Sequence, residues 1–289
     1  RAPRRDPGRM REGQAARMPR MSPISTSALR AAIVCGVLGV SPSAGAGRPL
    51  FEPTDLEMED TGVLEVDLQV GGIRGRDPWR AVVPDFEVDL GIAPNLEIDV
   101  DGGYAIEGPA RGPFSFDHAA PDSLWPSIKV GLYDRPERAG GGGVAFAVGA
   151  QVGPKLPVAA AAHGLGVESL ALLGMTARRF QLAFNAGVFA DPAPDASSGR
   201  PRGFEVGLDV GRDVGGGDRF SLTGQLSAVR FVSADPAQLL VTAGVTWAAS
   251  NMIDVSAVGL FGVLAGGDRY GLLLGVSPKM RLFAPPARR

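Results

Sequence analysis

Apolar and polar residues alternate along most of the chain after residue 60. In the stretch NLEIDVDGGYAIEG (95–108), Leu96 and Ile98 share one parity, whereas Glu97 and Asp99 share the other. Successive side chains of a β-strand point to opposite faces, so this alternation predicts a strand with one apolar face and one acidic face. The apolar face would pack against a second sheet in a soluble sandwich, and it would contact lipid in a membrane barrel.

Twelve segments of the chain carry this alternation, some less regularly than others. Their length of about ten residues is the length that a tilted strand needs to cross a bilayer. No run of eighteen apolar residues follows the N-terminal region, so hydropathy predicts no transmembrane helix there. The twelve segments are 63–70, 86–92, 95–108, 124–133, 144–152, 167–176, 180–188, 204–210, 220–226, 240–247, 252–263 and 269–283.

The connections between these segments alternate in length. Residues 93–95, 177–179 and 249–251 are short turns, and longer loops such as 108–122 and 191–201 lie between them. Outer-membrane barrels show this asymmetry, with short turns on the periplasmic side and longer loops outside. We therefore predict an all-β fold, a transmembrane antiparallel β-barrel of about 12 strands in the bacterial outer membrane.

The region before the first strand is interpreted as a set of processing and entry segments. Residues 1–20 are interpreted as sequence upstream of the true start. Residues 21–46 contain an arginine, a ten-residue apolar core and an Ala-Gly-Ala cleavage pattern, which together predict a secretory signal peptide. Residues 47–60 are predicted to be a periplasmic N-terminal segment that could enter the barrel. Residues 61–283 would then form the barrel, and residues 284–289 a short tail.

Composition argues against several classes of function. Cys35 is the only cysteine, so the chain cannot build a disulfide framework or a cysteine metal site by itself. Residues 47–289 hold 21 basic and 29 acidic residues, and this formal charge of −8 argues against nucleic acid as a partner. The two histidines, His118 and His163, fall in predicted loops without the partners of a catalytic triad. We predict no catalytic residue, no metal site and no cofactor, and hence no enzyme.

Charged residues on the polar faces are the candidate functional residues. Three consecutive strands contribute carboxylates, the next two strands contribute lysines, and the eighth strand contributes two more acids. Lys129, Lys155, Arg230 and Lys279 are expected to neutralise part of this charge across the lumen. Such an interior would be a cation-leaning pore or a polar binding cavity for a small solute. The predicted lumen-lining residues are Glu65, Asp67, Glu87, Asp89, Glu97, Asp99, Asp101, Lys129, Lys155, Glu205 and Asp209.

Three stretches carry a resemblance to a known family. APNLEIDVDGGYAI (93–106) begins at the first short turn, GAQVGPKLPV (149–158) ends a strand, and LLLGVSPKMRL (272–282) is typical of a closing strand. Over residues 60–283 the chain resembles a family of outer-membrane transporters named for the meta-cleavage pathway of phenol degradation. The resemblance implies export or uptake of small aromatic compounds. Lys155 matches a motif residue of that family, and the resemblance assigns no binding residues.

Two other functions stay open at this point. A closed barrel can serve as a structural or adhesion platform that does not conduct. A secreted soluble β-sandwich that binds a ligand would also show alternating strands. We favour a monomeric barrel that passes or binds a small solute, with outer-membrane lipid and that solute as its partners.

Overall fold

The computed structural model describes most of the region after residue 57. Expectations for residues 1–20, 21–46, 47–57 and 284–289 lie outside the described part, and so do Cys35 and His118. Among the described residues there is no helix long and apolar enough to cross a membrane. The described residues are 58–75, 79–107, 119–121, 124–135, 144–158, 162–193, 196–197, 199–214, 219–232, 236–264, 266 and 268–283.

Long β-strands make up the regular structure of the described residues. Most of them have ten to fifteen residues, long enough to span a bilayer when tilted. The strands are β1 (Val63–Arg74), β2 (Trp79–Ala93), β3 (Leu96–Glu107), β4 (Ala119–Pro121), β5 (Trp125–Arg135), β6 (Ala145–Lys155), β7 (Gly166–Ala177), β8 (Phe180–Ala190), β9 (Arg202–Val214), β10 (Phe220–Phe231), β11 (Gln238–Ser250), β12 (Ile253–Gly262) and β13 (Tyr270–Arg281).

The sheet closes on itself as a 12-strand antiparallel barrel. From β5 to β13 each strand pairs with the next along the chain, and β1 pairs with both β2 and β13. The closing register joins Val63 to Arg281 and Arg74 to Tyr270, so the first and last strands are paired along their full length. Among the described strands, each one except the short β4 is paired on both sides, which is the condition for a sheet to stand in lipid. This confirms the predicted fold class.

One position on the barrel wall is shared by two strands, where the sequence predicts a single one. The strand β4 pairs with Tyr104–Ile106, and β5 pairs with Leu96–Asp101, both on the same side of β3. Pro121 and Pro126 lie on either side of the break. Proline has no N–H to donate to the ladder, so each of the two pieces has a weaker pairing next to the break. Thirteen strands therefore build twelve positions.

The two sides of the barrel wall differ in polarity as the alternation predicts. Apolar side chains such as Leu68 and Leu226 lie on the outward parity and are exposed, with 36% and 42% of their surface accessible. Their chain neighbours Gln69 and Gln225 lie on the inward parity and are buried. A sheet with apolar residues outside and polar residues inside is matched to lipid around it and a polar interior.

The two ends of the barrel differ in their connections. Turns of two residues join β2 to β3, β7 to β8 and β11 to β12. At the opposite end most connections are longer, such as 156–165 and 191–201. We refer to these ends as the turn end and the loop end, which correspond to the periplasmic and external sides of outer-membrane barrels. Two connections depart from this rule, since 136–144 is a long one at the turn end and 75–78 a short one at the loop end.

Candidate functional site

The eleven predicted lumen-lining residues all lie on the inward parity of their strands. Seven of them are buried: Glu65, Asp67, Glu87, Asp89, Glu97, Asp99 and Lys129. The other four are half-buried: Asp101, Lys155, Glu205 and Asp209. The inward acids of β1, β2 and β3 lie side by side, and this acid wall comprises Glu65, Asp67, Glu87, Asp89, Glu97, Asp99 and Asp101.

The strand register packs the acid wall densely. Asp89 lies opposite Glu65 on one side and opposite Asp99 on the other. One oxygen from each of Glu65, Asp67 and Asp89 lies within 4.8 Å of the others, and the same holds for Asp89, Glu97 and Asp99. Like charges directly opposite each other on a sheet are destabilising. The cluster therefore requires compensating groups nearby.

One buried and one half-buried lysine provide part of that compensation. Lys129 Nζ lies 3.0 Å from Glu97 Oε1, and both side chains are 1% exposed. Lys279 Nζ, from the closing strand, lies 2.8 Å from Glu65 Oε2 and 3.0 Å from Glu59 Oε1. Both ion pairs lie at the two sides of the acid wall, one on β5 and one on the closing strand β13.

Neutral side chains complete the bonding of the acid wall. Gln151 Nε2 donates to Asp99 Oδ2 at 2.7 Å and to Ser127 Oγ at 2.7 Å. Ser127 Oγ also donates to Asp99 Oδ2 at 3.3 Å. Ser127 and Gln151 were not among the site residues predicted from the sequence. A glutamine on the polar parity of an otherwise apolar strand could have indicated that Gln151 faces the interior. Hydrogen bonds to an ionised carboxylate stabilise its charged form.

The residues just before β1 lie against the acid wall at the turn end. The backbone N–H of Glu59 donates to Glu97 Oε2, and the side chain of Glu59 accepts from Lys279 at 3.0 Å. Burial would raise the pKa of Glu59, but hydrogen bonding with Glu65 and the charge of Lys279 outweigh it and lower that pKa below its ordinary value. We call Met58–Asp60 the N-terminal strap.

A glycine of the wall makes room for the N-terminal strap. A Cβ on Gly91 would overlap the backbone carbonyl oxygens of Glu59 and Asp60. Gly62 N–H also donates to Gly91 O at 2.7 Å, which fixes the chain at this point. The expectation that residues 47–60 could enter the barrel can be compared with the structure only for Met58–Asp60, and these residues lie against the inner wall.

A second charged group lies on the inner wall at the loop end. Lys155 Nζ lies 2.7 Å from Glu168 Oε2 and 2.8 Å from Asp191 Oδ1. The same ammonium stands 5.5 Å from the ring centroid of Phe189, which is buried. Lys155 is therefore not part of the acid wall and instead holds β6, β7 and the end of β8 together. The sequence did not indicate these partners, because the contacts depend on the register of three strands.

One predicted neutralising residue points the other way. Arg230 lies on the outward parity of β10 and is exposed, so the expectation that it neutralises the lumen is wrong. The predicted strand ended at residue 226, whereas β10 continues to Phe231. Extending the same alternation to residue 230 places this side chain on the face of Leu222 and Leu226.

The inner wall also contains apolar groups that the alternation did not reveal. One cluster of buried residues lies toward the loop end, and it comprises Ile73, Val82, Leu240, Leu260 and Leu273. A second cluster comprises Trp125, Leu170 and Leu172. Strands that are apolar on both faces, such as β12 and β13, give no parity signal, so these positions could not be assigned from sequence.

On β10 and β11, the inner side is lined by uncharged polar groups. This neutral wall comprises Ser221, Gln225, Thr242 and Thr246, all buried, whereas the inner face of β12 carries the buried Asp254. Thr242 Oγ1 donates to Gln225 Oε1 at 3.5 Å, a long contact between neighbouring strands. The described interior is therefore asymmetric, with charge concentrated on β1–β3.

The barrel is similar to two solved outer-membrane proteins. The COG4313 outer membrane channel from Pseudomonas putida F1 superposes with a TM-score of 0.55 at 11% identity, covering 79% of this chain and 99% of that chain. The NanC porin superposes with a TM-score of 0.54 at 9% identity, covering 74% of this chain and 100% of that chain. The chain has the fold of bacterial outer-membrane β-barrels.

Sequence comparison adds no family to this structural likeness. No protein-family model matches the chain, and no curated protein matches it. The resemblance to the transporters named for the meta-cleavage pathway therefore stays a prediction, while the outer-membrane barrel fold that it implies is present.

Proposed function

We propose that this protein is an outer-membrane barrel that passes a small solute through its interior and favours cations. The observation that carries the proposal is the acid wall, which places seven inward carboxylates, six of them buried, side by side on three adjoining strands. Walls and rings of Asp and Glu select cations in pores. The solved structures of similar fold are described as an outer membrane channel and a porin, which supports passage of a solute.

The N-terminal strap would restrict the passage to small solutes. Glu59 reaches from the start of β1 to Glu97 on β3, and a Cβ on Gly131 of β5 would lie 3.3 Å from Met58 Sδ. The strap thus extends along the inner side of four strand positions at the turn end. Since the sheet closes within one chain, we propose that the monomer is the working unit.

Planar-bilayer recording in a salt gradient tests the proposal. We expect a reversal potential on the cation side for the wild type, and a shift toward zero for Asp67→Asn/Glu87→Gln/Asp89→Asn. Glu97 is left in place, because its removal would leave Lys129 buried without its carboxylate. An anion-selective pore, or a triple variant of unchanged selectivity, would contradict the role of the acid wall.

A matched control removes the same number of carboxylates elsewhere. Glu168→Gln/Glu205→Gln/Asp209→Asn changes three inward acids on β7 and β9, where Lys155 offsets part of the charge. We expect a smaller shift of the reversal potential than for the acid-wall variant. A barrel that never conducts would favour the structural or adhesion platform instead.

A second candidate is a solute with an apolar or aromatic body. The observation that favours it is the pair of apolar clusters on the inner wall, since a polar pore for ions has no need of buried Ile73 or Leu273. Proteoliposome uptake of an aromatic amine, compared with an aromatic carboxylate of equal size, tests it. Faster uptake of the amine would support both the apolar clusters and the acid wall.

Location in the outer membrane is tested by fractionation. We expect the protein in the outer-membrane fraction, with an electrophoretic mobility that changes on boiling, as for other closed barrels. The reason is the continuous apolar outer surface, which water would disfavour. Recovery in a detergent-free periplasmic supernatant would contradict the barrel in lipid and favour a soluble binding protein.

A further inference from the structure

Two arginines project from the outer surface of the barrel at the loop end. Arg202 is the first residue of β9, and Arg230 is the last but one of β10. Both side chains are exposed and lie on the outward parity. In the described part of the chain, neither makes an ion pair or a side-chain hydrogen bond. Two unpaired cations therefore stand on a surface that is otherwise apolar.

The register brings the two arginines together. Arg230 lies opposite Phe204, and the N–H of Val232 donates to the carbonyl of Arg202 at 2.8 Å. Arg202 and Arg230 are thus diagonal neighbours on adjacent strands, a relation in which Cα atoms are about 7–8 Å apart. Guanidinium groups at this separation can both reach one phosphate, and each can donate two hydrogen bonds to it.

The surface below the arginines is apolar. Val188, Phe204 and Val206 face outward, with 52%, 55% and 43% of their surface exposed. The acids of β9, Glu205 and Asp209, lie on the opposite parity and face inward. No acidic side chain in the described part of β8–β10 shares the outward face, so nothing there competes with an external anion.

We propose that Arg202 and Arg230 bind a phosphate of lipid A, the anchor of lipopolysaccharide in the outer leaflet, with an acyl chain lying on Val188, Phe204 and Val206. This rests on the outer-membrane location proposed above, but not on conduction. The positive charge of the two arginines and their position on the barrel both indicate a lipid phosphate. The arginines lie at the end of the apolar surface nearest the long loops, at the level where headgroup phosphates meet acyl chains.

The opposite end of the same strands supplies a contrast. Arg212 of β9 also faces outward, but its guanidinium lies 4.9 Å from the ring centroid of Phe180. This arginine has an aromatic partner and no second arginine diagonal to it on β10. Arg212→Gln is therefore a matched control that removes one outward arginine from the turn end.

Binding of purified lipid A by the folded barrel in detergent tests the proposal, with native mass spectrometry as the readout. A surface cation contributes about 1 kcal/mol to binding of anionic lipid, so each of Arg202→Gln and Arg230→Gln should weaken affinity about fivefold. The double variant should lose about 25-fold, and Arg212→Gln should bind as the wild type does. Unchanged affinity of the double variant would overturn the proposal.

The probe can be changed to identify the group that is recognised. Lipid A stripped of its phosphates should bind the wild type as weakly as intact lipid A binds the double variant. Inorganic phosphate at equal concentration should not displace lipid A, because it lacks the acyl contact. Full displacement by phosphate would show a simple anion site and overturn the lipid assignment.

Folding and conduction are followed separately on the same variants. The boiling-dependent mobility shift shows whether each variant has a closed barrel, and Arg202→Lys/Arg230→Lys keeps the charge if the glutamine pair does not fold. The lysine pair should bind with intermediate affinity, since it cannot form bidentate contacts. If lipid A binds but no current flows, the lipid site is supported and the channel function is contradicted. If current flows but lipid A does not bind, the channel function is supported and the lipid site is contradicted.

Discussion

The acid wall and the neutral wall both bury polar side chains inside the barrel, but those of the acid wall are charged and those of the neutral wall are not. On β1–β3, carboxylates from adjacent strands crowd together and depend on Lys129 and Lys279, which come from β5 and β13. On β10 and β11, hydroxyl and amide groups are buried without charge and make local contacts such as Thr242 to Gln225. Ion pairs in a charged interior join strands that are far apart in the sequence, and breaking one is strongly destabilising. Loss of a single hydroxyl or amide from a neutral interior costs less stability.

The largest expected effect is the loss of a buried cation from the acid wall. Lys129→Met leaves Glu97 buried without its ion pair, and breaking such a pair typically costs about 3–5 kcal/mol. On the neutral wall, Thr246→Val removes one buried hydroxyl and should cost about 1 kcal/mol. Urea unfolding followed by the boiling-dependent mobility shift measures both.

A double variant separates charge from packing in this prediction. Lys129→Met/Glu97→Gln should recover most of the stability that Lys129→Met loses, because the partner of the missing ammonium is then uncharged. Equal costs for Lys129→Met and Thr246→Val would mean that the two walls do not differ in the way described.

On their outer faces the two walls should be equivalent. Leu68 of β1 and Leu226 of β10 are mid-strand leucines on the outward parity. An arginine at the centre of the lipid face costs about 2–4 kcal/mol, so Leu68→Arg and Leu226→Arg should destabilise the barrel by similar amounts. Unfolding in lipid vesicles measures the costs, and a tolerated arginine at either site would show that this face is not in lipid.

Substitution of two glycines, one on each side of the comparison, should give a smaller difference in stability. A Cβ on Gly91 overlaps the N-terminal strap, whereas a Cβ on Gly224 would have its nearest neighbour, Thr242 O, at 3.9 Å. Gly91→Ala should cost about 1–3 kcal/mol by overpacking. Gly224→Ala should be neutral or stabilise by up to about 1 kcal/mol, since alanine loses less entropy in a strand. The midpoints of urea unfolding of the two variants measure this difference. A Gly91→Ala variant as stable as Gly224→Ala would contradict the contact between Gly91 and the N-terminal strap.

The smallest expected effect is a pH dependence from the strap. The pKa of Glu59 is below its ordinary value of 4.5, so this carboxyl binds fewer protons in the folded than in the unfolded state. Its stabilisation is therefore complete above pH 4.5 and is lost as the pH falls through the lowered pKa. The difference in unfolding free energy between wild type and Glu59→Gln should shrink over that range. A difference that stays constant from neutral to acid pH would rule out the charged contact with Lys279.

Much of the barrel could be predicted because its signal is local. A two-residue period needs only neighbouring residues, so the faces of Leu96, Glu97, Ile98 and Asp99 follow from their order in the chain. The short and long connections likewise indicated which strand ends share a side. The inward position of the acids on β1–β3 is a consequence of that alternation, and only their partners had to be found in the structure.

Other features depend on how strands pair and could not be read locally. The register shift between Val82 and Asp85 turns Val82 to the inside, although its parity differs from that of Glu87 on the same strand. Strand ends carry similar uncertainty, and Arg230 was misassigned because the predicted strand stopped too early. A β-bulge changes the parity of every residue beyond it, and sequence alternation alone does not locate the bulge.

The sequence alone determined that this chain forms alternating strands with an apolar and a polar face, because side-chain direction in a strand depends only on position. Tertiary structure decided where charge is compensated. Lys279 meets Glu59 across 220 residues only because β13 closes on β1, and Lys129 meets Glu97 because β5 pairs with β3. Closure and register are set by the pairing of the whole sheet, and ion pairs between distant segments exist only once that pairing is complete.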